Sequence, residues 1–211
     1  MTWFARVLVL AALLPAVLAG PQRVWAGVPT DQLRAQIDKA VKILEDPELK
    51  KKPVERRTAV RQVANDIFDF SETAKRSLAR HWAPRTQAER DEFVSLFSDL
   101  LERTYIGKNE LYGGEKNQFV GETVEGEGAV VRTKLVTRQG TEIPIDYRML
   151  HRGDKWLVYD VVIEGVSLIS NYRTQFNKII TTSSFQELMK KMKTKQEEFI
   201  GEEKPKRTSQ Q

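Results

Sequence analysis

Few residues in this 211-residue chain have a type and spacing that could carry chemistry. The only imidazoles are His81 and His151, and neither has a partner at His-x-x-x-His spacing. Cysteine is absent, which excludes disulfides, thiolate metal ligation and a lipidated N-terminal Cys. A metal would need carboxylates alone, and the acids are scattered over helical faces, so no metal site is expected. There is no Gly-x-Ser-x-Gly elbow, phosphate-cradling loop or glycine-rich dinucleotide turn, and Gly113-Gly114 reads as a simple turn. The one acid in an apolar run is Asp160. As a general base beside His81 or His151 it would abstract a proton, work for which buried carboxylates are often tuned. A strand Asp more often accepts hydrogen bonds, and Tyr172 and Arg173 further along the chain are available donors.

The elements that would position these residues fall into three blocks. Leu33, Ile37, Val41 and Leu44 recur at helical spacing from Thr30 to about Glu45, and "DPELKKKP" at 46–53 then breaks the chain. A second helix over about Val54–Phe68 carries Val60, Val63, Ala64 and Ile67. A third starts near Ser71, carries Leu78 and Trp82, and halts at Pro84. Thr86 and Glu89 form a capping box that starts a helix bearing Phe93, Leu96, Phe97, Leu100, Leu101 and Tyr105 on one side.

Between Gly113 and Gly165 the period drops to two. Val131, Thr133 and Leu135 alternate with Arg132 and Lys134, and Ile143, Ile145, Tyr147 and Met149 with Glu142, Asp146 and Arg148. Turn residues at 125–128, 139–140 and 153–154 predict a meander of four antiparallel strands. In the last strand, alternation puts Trp156, Val158 and Val162 on one face and Leu157, Tyr159, Val161 and Ile163 on the other. Two helices, Ser167 to Thr181 and Ser184 to Phe199, close the chain, the second with Ser184 and Glu187 as a capping box. The fold class is α+β, a four-stranded curved antiparallel sheet packed with N-terminal and C-terminal helices.

Residues 1–26 have the order of a secretory leader: Arg6, an apolar run from Val7 to Leu18, then small residues before a cut after Ala26 or Ala19. A dozen apolar residues are too few for a stable membrane span. Its removal takes Arg6 and Arg23 and no acid, so the net charge falls from +5 to +3. Weak basicity and export argue against a nucleic-acid partner. The expected organisation is a leader at 1–26, one domain at 27–200 and a disordered tail at 201–211, in a soluble periplasmic protein. "KKMKTKQEE" at 190–198 reads as a solvated helix face, with a membrane-touching surface as the alternative. Trp82, Phe93, Phe97, Tyr105, Tyr147, Trp156, Tyr172 and Phe176 all fall on predicted inward faces, where they either fill a core or wall a cavity.

Three stretches, "DFSETAKRSLARHW" at 69–82, "FVSLFSDLLERTY" at 93–105 and "KWLVYDVVIEGVSLISNYRTQF" at 155–176, resemble the MlaC family, also described as toluene-tolerance auxiliary proteins. The likeness runs from about residue 30 to 200. One departure is Ala79-Arg80-His81, where most members carry a Gly before the Trp of the first motif, which puts only local helix packing in doubt. The resemblance implies an NTF2-like-related fold around a hydrophobic cavity, no catalytic residues and no cofactor. It implies a periplasmic shuttle carrying phospholipid as cargo between an outer-membrane lipoprotein complex and an inner-membrane ABC transporter complex, a role in outer-membrane lipid asymmetry. Hopanoid-associated relatives look similar, which leaves the lipid class open. Transferred residue by residue, it makes Phe70, Trp82, Phe97, Tyr105, Trp156, Val158, Val166 and Tyr172 lipid-binding candidates. The inward faces extend the set to Leu78, Phe93, Leu101, Tyr147, Met149, Val162 and Phe176. On this reading Asp160–Phe176 is a cavity wall, its corner fixed by Asp160 with Arg173. The rivals are an enzyme on the same scaffold using Asp160, and a structural interaction protein with a filled core.

Overall fold

The computed structural model describes residues 27–106 and 113–203. The expected leader, and residues 204–211 of the expected tail, lie outside them. Helix α1 (Val28–Glu45) has Pro29 in its first turn, where a missing N–H costs nothing. The Glu122 carboxylate caps it, accepting from the N–H groups of Gly27 and Thr30 at 2.7 and 2.8 Å and from the Thr30 hydroxyl at 2.6 Å. The expected break at 46–53 holds one short turn, α2 (Pro47–Lys50), before α3 (Pro53–Ile67).

Helix α4 (Phe70–Leu78) is capped by Asp69, which accepts from Glu72 N–H at 2.8 Å. It stops four residues short of the expected Trp82, because Ala79 takes φ 47° and ψ −119°, a left-handed geometry no helix can continue. A 3-10 turn over Ala79–His81 follows and leaves Trp82 packed against the helical core. Helix α5 (Gln87–Leu101) starts at the Thr86–Glu89 capping box with both reciprocal bonds present, and passes into a π-helical turn at Glu102–Ile106.

The sheet is an antiparallel meander of β1 (Lys116–Glu125), β2 (Gly128–Val136), β3 (Glu142–Arg152), β4 (Lys155–Ile163) and a two-residue β5 (Val166–Ser167). The fifth strand is one more than the periodicity shows. It exists because Glu164 and Gly165, with φ of 49° and 82°, make a two-residue hairpin turn that folds Val166–Ser167 back onto β4. A bulge lies in β1 between Phe119 and Gly121, and a second in β4, where Arg148 pairs with Asp160 but Met149 with Val158, leaving Tyr159 as the extra residue. Bulges of this kind bend a strand and reverse its alternation.

Helices α6 (Leu168–Thr182) and α7 (Phe185–Glu203) complete the chain. Ser167 caps the first, and the Ser184 hydroxyl accepts from Glu187 N–H at 3.1 Å at the start of the second. Helix α7 runs to Glu203, three residues into the segment expected as tail.

The buried side chains form two separate clusters. One joins α4–α7 through Leu78, Phe93, Phe97, Phe176 and Leu188. The other packs α1 and α3 on the sheet through Leu33, Ile67, Val131, Met149, Trp156 and Val158. The space between the two clusters is incompletely filled.

Candidate functional site

A cavity of about 320 Å³ lies at that seam. Its sheet wall is Ile145 and Tyr147 of β3 with Val161 and Ile163 of β4. These four are brought together by the bulge. Strict alternation from Trp156 and Val158 would place Asp160 and Val162 beside them, and the extra residue Tyr159 puts Val161 and Ile163 there instead. The α3–α4 junction supplies Phe68 and Phe70, stacked at 5.7 Å between ring centroids. This junction is pinned to β4 because Asp69 N–H donates to the Val158 carbonyl at 2.8 Å beside a Phe68–Val158 parallel bridge. The third wall is helical, with Phe97, Leu101 and Tyr105 from α5 and the π-helical turn, and Leu168, Ile169 and Tyr172 from α6.

An aromatic cluster packs behind this wall. Phe97 meets Tyr172 and Phe176 edge-on at 5.0 and 5.1 Å, and Phe93 meets Phe176 the same way at 5.6 Å. Tyr105 is 44% exposed while it lines the cavity, so the cavity reaches the surface there.

Thr73, Asp160 and Tyr172 at the cavity are each bonded within the protein. Thr73 Oγ1 lies 2.8 Å from both the Asp69 and Tyr159 carbonyls. Burial alone pushes the Tyr147 phenol up to about 12, and Tyr172 is also raised, first by burial and then by Tyr105, with which it shares a hydrogen bond. Both phenols therefore stay neutral. Asp160, only 4% exposed, accepts from Arg148 Nη1 at 3.1 Å, from the Ser167 hydroxyl at 2.7 Å and from Ile169 N–H at 3.1 Å. Both carboxylate oxygens are occupied in tying β3, β5 and the start of α6 together.

The expected partner Arg173 is elsewhere: its Nε donates to the Arg76 carbonyl at 3.0 Å. His81 Nε2 lies 3.0 Å from Asn177 Oδ1, and His151 Nδ1 lies 3.2 Å from Glu127. The arrangement can hold an apolar guest and, among the described residues, offers no free base at the wall. Among the described residues no cluster of three or more His, Asp or Glu gathers to hold a metal.

Of the fifteen candidates, the structure brings Phe70, Phe97, Leu101, Tyr105, Tyr147 and Tyr172 to the cavity. Leu78, Trp82, Phe93 and Phe176 belong to the helical cluster behind it. Met149, Trp156 and Val158 are buried in the sheet cluster, off the lining. Val162 falls on the opposite sheet face, in register with Asp146 and Ser167, for the reason given by the bulge. Val166 is 61% exposed on β5 and walls nothing, because the hairpin turn carries it outward. Sequence reasoning did not select Phe68, Thr73, Ile145, Tyr159, Val161, Ile163, Leu168 and Ile169. The signal for the β4 members was Asp160 itself, a charge that strict alternation would have put in the dry face.

Comparison with known proteins bears on the fold and the family. Among solved structures, a phospholipid-binding protein from Ralstonia solanacearum, determined in complex with a phospholipid, superposes with a TM-score of 0.73 at 22% identity, over 82% of this chain and 98% of that one. The intermembrane phospholipid transport system binding protein MlaC of Haemophilus influenzae is 24% identical over 149 residues, 68% of this chain and 70% of that protein. The family model described as MlaC protein matches residues 34–194, most of the chain, and the chain therefore belongs to the MlaC family.

Proposed function

We propose that this protein binds phospholipid, holding acyl chain in the cavity and leaving the headgroup at the Tyr105 mouth. The observation that supports this most directly is the cavity between the two clusters, walled mainly by aromatic and aliphatic side chains, with the Asp160 carboxylate and the Thr73 hydroxyl already bonded within the protein. An apolar cavity of about 150 Å³ accepts a benzene ring and stays dry without one, so a space of about 320 Å³ has room for a segment of hydrocarbon. At ~0.8 kcal/mol per buried methylene, about eight methylenes would contribute about 6 kcal/mol. Phe70, Phe97, Leu101, Tyr105, Tyr147 and Tyr172 are the proposed contacts, with the buried residues behind them as support.

The proposed role is carriage of that lipid across the periplasm, between an outer-membrane lipoprotein complex and an inner-membrane ABC transporter complex, without catalysis. The H. influenzae and R. solanacearum relatives support it by what they bind. Within the described residues no helix is long and apolar enough to cross a membrane. Lipid hand-over depends on docking to a partner that either changes the pocket's shape, lowering its affinity for the chain, or offers a competing site, since a pocket of unchanged affinity with no competitor favours no transfer. Organic extraction of protein purified from the periplasm, followed by mass spectrometry, tests the reading. Phospholipid in near-stoichiometric amount is expected; protein that emerges empty and takes up no lipid from vesicles overturns it.

A further inference from the structure

On the outer side of the α4–α6 pair, away from the cavity, a groove of about 380 Å³ runs between the 3-10 turn and α6. Arg80, His81, Arg173 and Asn177 line it. The positive φ of Ala79 ends α4 and turns the next two residues toward α6, where Arg80 Nη2 donates to Asn177 Oδ1 at 2.6 Å. Arg80 Nε also lies 3.4 Å from His81 Nε2, and among the described residues Arg173 is anchored through Nε alone, to the Arg76 carbonyl.

The acceptors in this groove are neutral. Neighbouring guanidiniums meet carboxylates: Arg76 pairs with Glu72 at 2.7 Å, Arg85 with Glu89 at 3.5 Å, and Arg152 with Asp69 and Glu72 at 3.1 and 3.3 Å. Among the described residues Arg80 and Arg173 have no acidic partner. A guanidinium presents five donors in a planar fork, and these two commit only part of theirs. The remaining N–H groups match the two oxygens of a carboxylate, the geometry arginine recognises best.

The side chains around the groove favour a protein over a bilayer as the occupant. Attraction to anionic lipid takes clusters of about four to eight cations, commonly on a surface that also inserts apolar side chains. Here two arginines sit in a cleft, and the exposed large hydrophobic residues among those described are Val54, Tyr105, Val120 and Val166, none of them in it. We infer that the Arg80–Arg173 groove docks an acidic segment of a partner protein, with Asp or Glu side chains taken by the two guanidinium forks. This goes beyond lipid carriage and uses none of the cavity residues.

Titration of isotope-labelled full-length protein with a synthetic hexaglutamate peptide at low salt, followed by amide NMR, tests it, with hexaglutamine as control. Shifts centred on residues 79–82 and 173–177 are expected. The double variant Arg80→Gln/Arg173→Gln should weaken binding at least about tenfold, and Arg173→Lys by less, since it keeps charge and loses the fork. Both arginines are exposed, so these variants are expected to keep the parent's melting temperature and lipid content. Shifts spread evenly over the lysine-rich α7 and the Lys50–Lys52 run, or an unchanged affinity in the double variant, overturn the proposal. So does a double variant that loses binding to phosphatidylglycerol vesicles while keeping the peptide. A protein that carries no lipid but still binds peptide in the groove overturns the carrier reading and leaves this one standing.

Discussion

Two residues carry more information than their neighbours. Ala79 sits at φ 47° and ψ −119°, a region that suits glycine and strains any residue with a Cβ, at a cost of about 1–3 kcal/mol. Ala79→Gly should therefore raise stability by about 1 kcal/mol, an increase of roughly 2–4 °C in melting temperature for a chain this size, measurable by calorimetry. An unchanged or lower value would mean that the surrounding backbone has already absorbed the strain. Glu102 opens the π-helical turn that carries Tyr105, is 8% exposed, and has Arg61 Nε at 2.6 Å. Burial raises its carboxyl above the usual value, with Arg61 opposing. A carboxyl that holds its proton more tightly when folded contributes stability below its unfolded value, near 4.5, and loses it as pH rises through the folded one. Glu102→Gln has no such proton, so its stability relative to the parent should climb from about pH 4.5 upward. Urea denaturation of both proteins at acidic and neutral pH reads the difference, and a difference flat with pH counts against the assignment.

At the scale of elements, the corner at Asp160 is what allows the sheet and α6 to enclose a space. Its carboxylate reaches Arg148 on β3, Ser167 on β5 and the Ile169 N–H inside α6. Asp160→Asn should lower the urea midpoint by the equivalent of about 2 kcal/mol while the folded fraction keeps its lipid; loss of lipid with unchanged stability would place the carboxylate in binding instead. The helices, the meander and most inward faces were legible in the sequence because period, caps and turn residues agree, as at Thr86–Glu89 and the alternating Ile143–Met149 stretch. The site was only half legible. A bulge adds a single residue and changes no composition, so alternation assigned Val162 to the wall and missed Val161 and Ile163. The π-helical turn was invisible for the same reason, and Val166 was misplaced because a two-residue turn needs no Asn-Gly signature when Gly165 follows an ordinary Glu164. Trp156 and Val158 were correctly read as buried, yet burial alone does not say which side of a cavity a residue occupies.

For the whole molecule, two clusters with a gap between them make stability depend on what fills the gap. A ligand bound only by the folded state adds RT ln(1 + [L]/Kd), about 2.7 kcal/mol at a hundredfold excess over Kd. Stripping lipid should accordingly lower the melting temperature by roughly 5–10 °C, and returning phospholipid should restore it. Leu101→Trp combined with Val161→Phe fills the cavity from its helical and sheet walls at once, using volume the native side chains leave empty. That double variant should purify without lipid, melt no lower than the stripped parent, and show no rise when phospholipid is added. Calorimetry with and without lipid, paired with extraction and mass spectrometry, separates the outcomes. A filled variant that still retains lipid would show that the chains lie outside the seam between the clusters, whereas one that melts far below the stripped parent would show that the seam cannot accept larger side chains and is closed when no guest is present.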